Sequence, residues 1–118
     1  TRLTLPFLRK SGYGRVINVA SLAGKAVYGP SVGYSMTKFA AVALSHATRL
    51  GGWEDGVRCT ALCPGYVATD MTKEVESVKV ENMVSPDDLA EIVRTLICLS
   101  NSASIAELIV NCKPDLVG

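Results

Sequence analysis

The chain has 118 residues, of which 48% are hydrophobic and 19% are charged, and its formal net charge is +1. This balance is typical of one folded domain, and it argues against a disordered chain and against charge-driven binding to nucleic acid or to a membrane surface. No apolar run reaches the roughly 18 residues that a membrane-spanning helix needs. Residues 1–10 lack the layout of a secretory signal, and because the chain starts without Met we expect a fragment, a processed piece or an incomplete sequence.

Apolar runs and the residues that interrupt them predict helices alternating with strands. Helices are predicted over residues 1–10 and 31–50 and from Ser85 onward, and strands over residues 15–20, 57–63 and 104–110. This alternation implies right-handed crossovers and a parallel sheet, so the predicted fold class is α/β. A sheet of three strands would leave an edge bare and open to another chain.

Several of these elements carry packing signals. The run at residues 15–20 is apolar enough for a strand buried on both faces, and Pro64-Gly65 is expected to stop the second strand. Asp87 and Asp88 are expected to cap the third helix. In the second helix, apolar residues recur at helical spacing at Phe39, Val42, Ala43, Ala47 and Leu50.

The cysteines and the histidine could have a chemical role, but we expect both residue types to be structural. The four cysteines, at positions 59, 63, 98 and 112, have poor spacing for a zinc site and are expected to be buried, reduced thiols, so no metal is predicted. His46, the only histidine, is expected to be a packing or interface residue. The charged residues 72–84 are expected to form a mobile loop or a short helix over a site.

Tyr34 and Lys38 lie one helical turn apart in the segment YSMTK. Residues at i and i+4 share one helix face. A phenol in water loses its proton only near pH of about 10, whereas an adjacent ammonium group favours the phenolate. The pair therefore predicts a general acid–base that works near neutral pH; an ordinary surface pair is the other interpretation.

Further polar residues follow the first two strands at their carboxyl ends, where open parallel sheets bind ligands. Ser21 follows the first strand and could donate a hydrogen bond to a carbonyl oxygen that Tyr34 protonates, or it could merely cap a turn. Pro64 and Gly65 follow the second strand in a turn that exposes backbone groups. Thr69 adds a hydroxyl, which could also be a helix cap.

The segments GRVINVAS, YSMTK and CPGYVATDM, with Ser21 and Tyr34 separated by 34 − 21 = 13 positions, resemble the short-chain dehydrogenase/reductase family. The resemblance covers essentially the whole chain. It corresponds only to the carboxyl-terminal half of that family's doubly wound Rossmann-type fold. It implies an NAD(P)-dependent oxidoreductase that interconverts an alcohol and a ketone by hydride transfer.

The resemblance also implies residue roles. Tyr34 would be the general acid–base, Lys38 would promote its ionisation and bind the nicotinamide ribose, and Ser21 would steady the substrate oxygen. Residues 72–84 would form the substrate loop. The implied cofactor-binding residues are Tyr34, Lys38, Pro64, Gly65, Val67 and Thr69, with the Val67 backbone and the Thr69 side chain on the carboxamide.

Other features of the family are missing from this sequence. The glycine-rich turn that cradles the pyrophosphate is absent, and so is the residue that distinguishes NAD from NADP, so the expected cofactor is NAD or NADP. The family's catalytic Asn would fall before Thr1. Asn18 lies within the first strand and does not replace it.

The resemblance implies a small alcohol or ketone as substrate. The reduced cysteines favour a cytoplasmic protein, and the balanced charge favours no nucleic-acid or membrane partner. The first two helices resemble the family's four-helix interface, which implies a homodimer or homotetramer. One alternative is a truncated, non-catalytic remnant or interaction module that cannot bind dinucleotide. Another is a sugar-nucleotide epimerase or dehydratase, against which the PGYVAT segment and the short carboxyl-terminal portion argue.

Overall fold

Helices and strands alternate along residues 1–113, the part of the chain that the computed structural model describes. The strands are β1 (Arg15–Val19), β2 (Arg58–Pro64) and β3 (Glu107–Val110), and the α-helices are α1 (Leu5–Ser11), α2 (Val32–Gly51) and α3 (Pro86–Cys98). Short 3-10 helices lie at Leu22–Gly24, Asp70–Thr72 and Val80–Asn82. The predicted alternation is confirmed.

The three strands form one parallel sheet in the order β1-β2-β3. β1 pairs with β2 so that Val16 lies opposite Cys59, and β2 pairs with β3 so that Leu62 lies opposite Leu108. Parallel neighbours need crossover connections, and the segments containing α2 and α3 supply them. The predicted α/β class with a parallel sheet is therefore confirmed.

The sequence misplaces two strand ends. Pro64 is predicted to stop β2, whereas it is the last residue of that strand, a position that a residue without an N–H tolerates. β3 begins at Glu107 rather than at position 104. The residues before it still contact β2, because the Ile105 carbonyl accepts from Thr60 Oγ1 at 2.6 Å.

β2 is the middle strand, and all of its residues are buried. A core cluster joins Ala61 and Cys63 of β2 to Ala20, which follows β1, and to Val42 of α2. The sheet therefore packs one of its faces against α2. This packing fixes α2 relative to the carboxyl ends of β1 and β2.

The prediction that β1 is buried on both faces is wrong. Most of its residues are only half-buried, and Val19 is 58% exposed. Within residues 1–113, β2 is the strand that pairs with β1, so the other edge of β1 is open. β3 is the second outer strand, and the expectation of a bare edge is confirmed.

The apolar residues of α2 lie largely on its exposed side. Phe39 is 43% and Leu50 is 67% exposed, and Ala43 and Ala47 are exposed as well. Of the apolar series in this helix, Val42 alone is buried. Helical periodicity thus identified an apolar face, but that face does not contact the sheet.

Small hydroxyl residues make up much of the buried face of α2. Ser35, Ser45 and Thr48 are buried there. Ser45 Oγ donates to the Ala41 carbonyl and Thr48 Oγ1 donates to the Leu44 carbonyl, both at 2.8 Å. Because buried hydroxyls need hydrogen-bond partners, these bonds within the helix allow a polar face to pack closely on the sheet.

The helix ends follow the sequence. Ser85 caps α3 by accepting from the Asp87 N–H at 3.1 Å, and Asp87 and Asp88 lie in its first turn. Gly52 caps α2 through its N–H to the Thr48 carbonyl. No helix within residues 1–113 is long and apolar enough to cross a membrane.

Candidate active site

The predicted site residues gather at the carboxyl edge of the sheet. β1 ends at Val19, so Ser21 follows it at this edge. β2 ends at Pro64 and is followed by Gly65. α2 begins at Val32 and carries Tyr34 and Lys38 on its first turns. Topology therefore brings three separate segments of the chain to one end of the sheet.

Ser21 begins a tight turn. Its Oγ accepts a hydrogen bond from the Ala23 N–H at 3.1 Å, at the start of the 3-10 helix Leu22–Gly24. The expected turn cap is therefore present. A hydroxyl carries one donor as well as its acceptor sites, so this cap leaves the Ser21 proton able to donate to a ligand.

Tyr34 and Lys38 share one face of α2, as their spacing predicts. Lys38 Nζ lies 5.5 Å from the centre of the Tyr34 ring and donates to the Val19 carbonyl at 3.4 Å. The Tyr34 side chain is accessible, with 47% of the residue exposed. The lysine therefore links the end of β1 to the helix of the tyrosine.

Gly24 holds the turn that begins at Ser21 (residues 21–25, called the serine turn) against α2. Sequence reasoning missed this glycine. A Cβ at this position would lie 2.7 Å from the Lys38 carbonyl oxygen and 3.1 Å from a methyl group of Val42. Both Gly24 and Val42 are buried. The available signal was a glycine three positions after the serine.

Gly65 is similarly enclosed at the end of β2. A Cβ there would lie 3.1 Å from Cys112 Sγ and 3.3 Å from Leu22 Cδ1. Beyond it, Val67 forms an isolated parallel bridge with Val84. The segment after β2 thus contacts the serine turn through Gly65 and pairs with the chain before α3 through Val67.

Thr72, which sequence reasoning also missed, shapes the segment that holds Val67 and Thr69. Its Oγ1 contacts the Val67 carbonyl at 2.5 Å and accepts from the Thr69 N–H at 3.1 Å. Thr69 is exposed and precedes the 3-10 helix Asp70–Thr72. The two threonines three positions apart are the sequence signal for this turn.

Cys63 lies beneath the serine turn and is fully buried. Burial raises the pKa of its thiol, although a hydrogen bond from the Ser21 backbone acts in the opposite direction. The thiol form is not a nucleophile, so Cys63 serves as core packing. Cys59 and Cys112 are buried too, but Cys98 is exposed, so the expectation of four buried thiols is wrong for Cys98.

The other candidates have structural partners. His46 Nε2 lies 2.6 Å from Glu107 Oε1. Asn18 donates to Ser45 Oγ at 2.9 Å from within β1. Trp53 stacks on the Arg58 guanidinium at 3.7 Å. No cluster of three or more His, Cys, Asp or Glu side chains suited to a metal ion lies within residues 1–113.

Comparison with known proteins identifies the family. The family model described as short chain dehydrogenase matches residues 1–79. Among curated proteins, the agropine synthesis reductase of Rhizobium rhizogenes is 39% identical over 117 residues, which cover 99% of this chain and 27% of that protein. The chain belongs to the short-chain dehydrogenase family, as its three motifs predict.

Solved structures agree on the fold. A β-ketoacyl-[ACP] reductase (FabG) from Bacteroides thetaiotaomicron is 33% identical, with a TM-score of 0.74, over 94% of this chain and 45% of that one. ElxO with NADP bound has a TM-score of 0.77, over 93% of this chain and 49% of that one. At 20% identity, this similarity is evidence for the fold alone. The chain has the Rossmann-type fold of this oxidoreductase family, and it spans less than half the length of each of these relatives.

Proposed function

We propose that the protein interconverts an alcohol and a ketone with NAD or NADP, and that Tyr34 is its general acid–base. The observation that carries the proposal is the placement of Ser21, Tyr34 and Lys38 at the carboxyl edge of a parallel sheet, in a chain of the short-chain dehydrogenase family. Tyr34 is exposed, so its hydroxyl can reach a bound substrate oxygen.

In the reduction, the Tyr34 hydroxyl gives its proton to the oxygen of the ketone, and in the reverse direction it takes the proton back from the alcohol. Ser21 Oγ donates a hydrogen bond to the same oxygen, which orients the substrate. The Lys38 ammonium stabilises the negative charge that Tyr34 carries after its proton leaves. Its link to the Val19 carbonyl, at 3.4 Å, keeps that charge near the sheet edge.

The donor groups at this edge suit a nicotinamide nucleotide, whose bound form supplies or accepts the hydride. An ammonium group has three N–H donors, so Lys38 can bind ribose hydroxyls while it contacts Val19. Thr69 is exposed, and Val67 is held beside it by Thr72. We assign the carboxamide to the Val67 backbone and the Thr69 hydroxyl, and the ring to the Pro64-Gly65 turn.

Tyr34→Phe tests the mechanism. It removes only the hydroxyl, and we expect ketone reduction to fall by roughly 100-fold or more, the usual contribution of an acid–base group. Tyr13→Phe is the matched control, because the Tyr13 hydroxyl contacts the Ile97 and Leu99 carbonyls away from the site. Near-normal turnover in Tyr34→Phe would contradict the proposed role.

Cofactor choice is tested by fluorescence titration with NADH and NADPH. We expect saturable binding of one or both, weakened by Lys38→Met. A folded protein that binds neither would favour the alternative of a non-catalytic module. The proposal leaves open the choice between NAD and NADP, because the residues that read the adenosine ribose are absent from the sequence.

We also propose a homodimer or homotetramer in the cytoplasm. Supporting the oligomer, α1 has no buried residue and α2 exposes its apolar face. Supporting a reducing compartment, the four cysteines are free, and three of them are buried.

A further inference from the structure

Lys25, His46 and Glu107 form a charged cluster that joins three parts of the fold. Glu107 is the first residue of β3, His46 lies on α2, and Lys25 follows the serine turn. One carboxylate oxygen of Glu107 contacts Lys25 Nζ, and the other lies 2.6 Å from His46 Nε2. The three side chains are 29%, 35% and 27% exposed for Lys25, His46 and Glu107 respectively, so the contacts are partly shielded from water.

Lys25 is rigidly connected to Ser21. The Gly24 N–H donates to the Ser21 carbonyl at 2.9 Å, and the Lys25 N–H donates to the Leu22 carbonyl at 2.8 Å. These bonds make residues 21–25 one hydrogen-bonded turn. Whatever holds the end of the turn at Lys25 therefore also restrains its beginning at Ser21.

The cluster attaches this turn to β3 and α2 through charged groups. Hydrogen bonds between ionised groups are roughly twice as strong as neutral ones, and partial burial reduces their screening. The turn is also held by the close packing of Gly24 on α2, by the buried Leu22 side chain next to Gly65, and by a hydrogen bond from the Ser21 backbone to the Cys63 thiol. The Lys25 bond to Glu107 also depresses the pKa of the Glu107 carboxyl, and the His46 bond adds to this effect.

We infer that Glu107 and Lys25 are positioning residues, which hold the Ser21 turn against β3, and that His46 anchors Glu107 to α2. The inference rests on the proposed function, in which Ser21 orients the substrate. Without Glu107, the flexible Lys25 side chain turns to solvent and the turn opens more often. A displacement of about 1 Å at an orienting group can reduce turnover by up to about 100-fold.

Amide hydrogen exchange measured by NMR tests the restraint without any need for turnover. We expect Glu107→Gln and Lys25→Met each to increase the exchange rates of the backbone amides of residues 24–26 roughly tenfold. The amides of β2 should keep their wild-type rates. Lys25→Arg keeps the charge and is expected to preserve the wild-type rates. Glu91→Gln is the matched control, since it removes an exposed ion pair with Arg94 on α3.

Steady-state kinetics on the same variants test the consequence. We expect a lower kcat in Glu107→Gln and Lys25→Met, an unchanged KM for NAD(P)H, and wild-type kcat in Lys25→Arg. Turn amides within about twofold of wild type in both variants would overturn the inference. So would faster exchange with unchanged kcat. If Glu107→Gln fails to fold, Lys25→Met alone decides both readouts, because Lys25 lies outside the core.

The two proposals can fail separately. Activity that survives in Tyr34→Phe would overturn the proposed function, whereas the exchange rates report on the turn in a protein of any activity. Loss of activity in Tyr34→Phe together with unchanged exchange in both Glu107→Gln and Lys25→Met would leave the proposed function standing and overturn the positioning role.

Discussion

At the scale of single residues, the contact of Gly24 with the Lys38 carbonyl ties the serine turn to the helix of the tyrosine. The space for a Cβ is closed by backbone rather than by a movable side-chain end. Any larger residue must therefore separate the turn from α2. Such a shift would move Ser21 relative to Tyr34, since each lies on one side of the contact.

Gly24→Ala is expected to lower the free energy of unfolding by about 1–3 kcal/mol, the usual effect of overpacking. Chemical denaturation measures it. Gly33→Ala is the matched control, because a Cβ there meets nothing within 4 Å and the position is helical. We expect that control to be neutral or stabilising by about 0.5 kcal/mol. Equal effects of the two substitutions would contradict the close contact.

Residue patterns identified the candidate reactive groups, but not the residues that support them. Tyr34 and Lys38 were identifiable because one helical turn relates them, and Ser21 because it follows a strand. Glu107 was not, since it lies 82 positions from Lys25 and 61 from His46. Local sequence spacing does not reveal such pairs, because these residues meet only when β3 lies beside β2 in the folded sheet.

At the scale of elements, Glu107 connects β3, α2 and the serine turn, and this gives stability a specific dependence on pH. The bonds to Lys25 and then to His46 lower the pKa of the Glu107 carboxyl from its ordinary value of 4.5. The folded state therefore binds this proton less readily than the unfolded chain. The contribution is complete above the unfolded pKa and is lost as pH falls through the folded one.

Wild type and Glu107→Gln should accordingly differ most near neutral pH. We expect the variant to be less stable there by about 1 kcal/mol, below the roughly 1.5–3 kcal/mol of a hydrogen bond to a charged group, because the side chains are partly exposed to solvent. The difference should shrink as pH falls below 4.5. Thermal unfolding at a series of pH values measures it. A difference that stays constant down to strongly acidic pH would contradict the ionic role of Glu107.

The elements also show what apolar periodicity leaves open about α2, namely which of its sides packs on the sheet. The helix is apolar at Phe39, Ala43, Ala47 and Leu50, but small hydroxyl residues pack on the sheet. Helical periodicity marks an apolar side of a helix but does not say what that side packs against. Sequence alone could not tell which side meets this chain's own sheet.

At the scale of the whole molecule, the exposed sides of α1 and α2 support the proposed oligomer. Phe7 is 75% and Phe39 is 43% exposed. Large apolar residues left in water on helices are typical of surfaces that meet another chain. The order of the elements was predictable from their alternation. The resemblance to the family predicts a second copy of the chain as the partner of these helices, which stays a prediction.

Phe39→Glu is expected to convert the proposed dimer or tetramer into smaller species, because an unpaired charge buried between helices costs several kcal/mol. Size-exclusion chromatography with light scattering measures the mass. Ala90→Glu, at an exposed position of α3, is the control and should not change it. A wild-type protein that is monomeric at all concentrations would contradict the oligomer outright.

The order β1-β2-β3 has a consequence for synthesis on the ribosome. Each strand adds to the one made before it, so a nascent chain can extend its sheet in one direction as it emerges. β2, which needs neighbours on both sides, remains half-covered until Glu107–Val110 leaves the exit tunnel. We expect the residues of β2 on the side of β3 to stay accessible to chaperones during translation until this short last strand pairs with them.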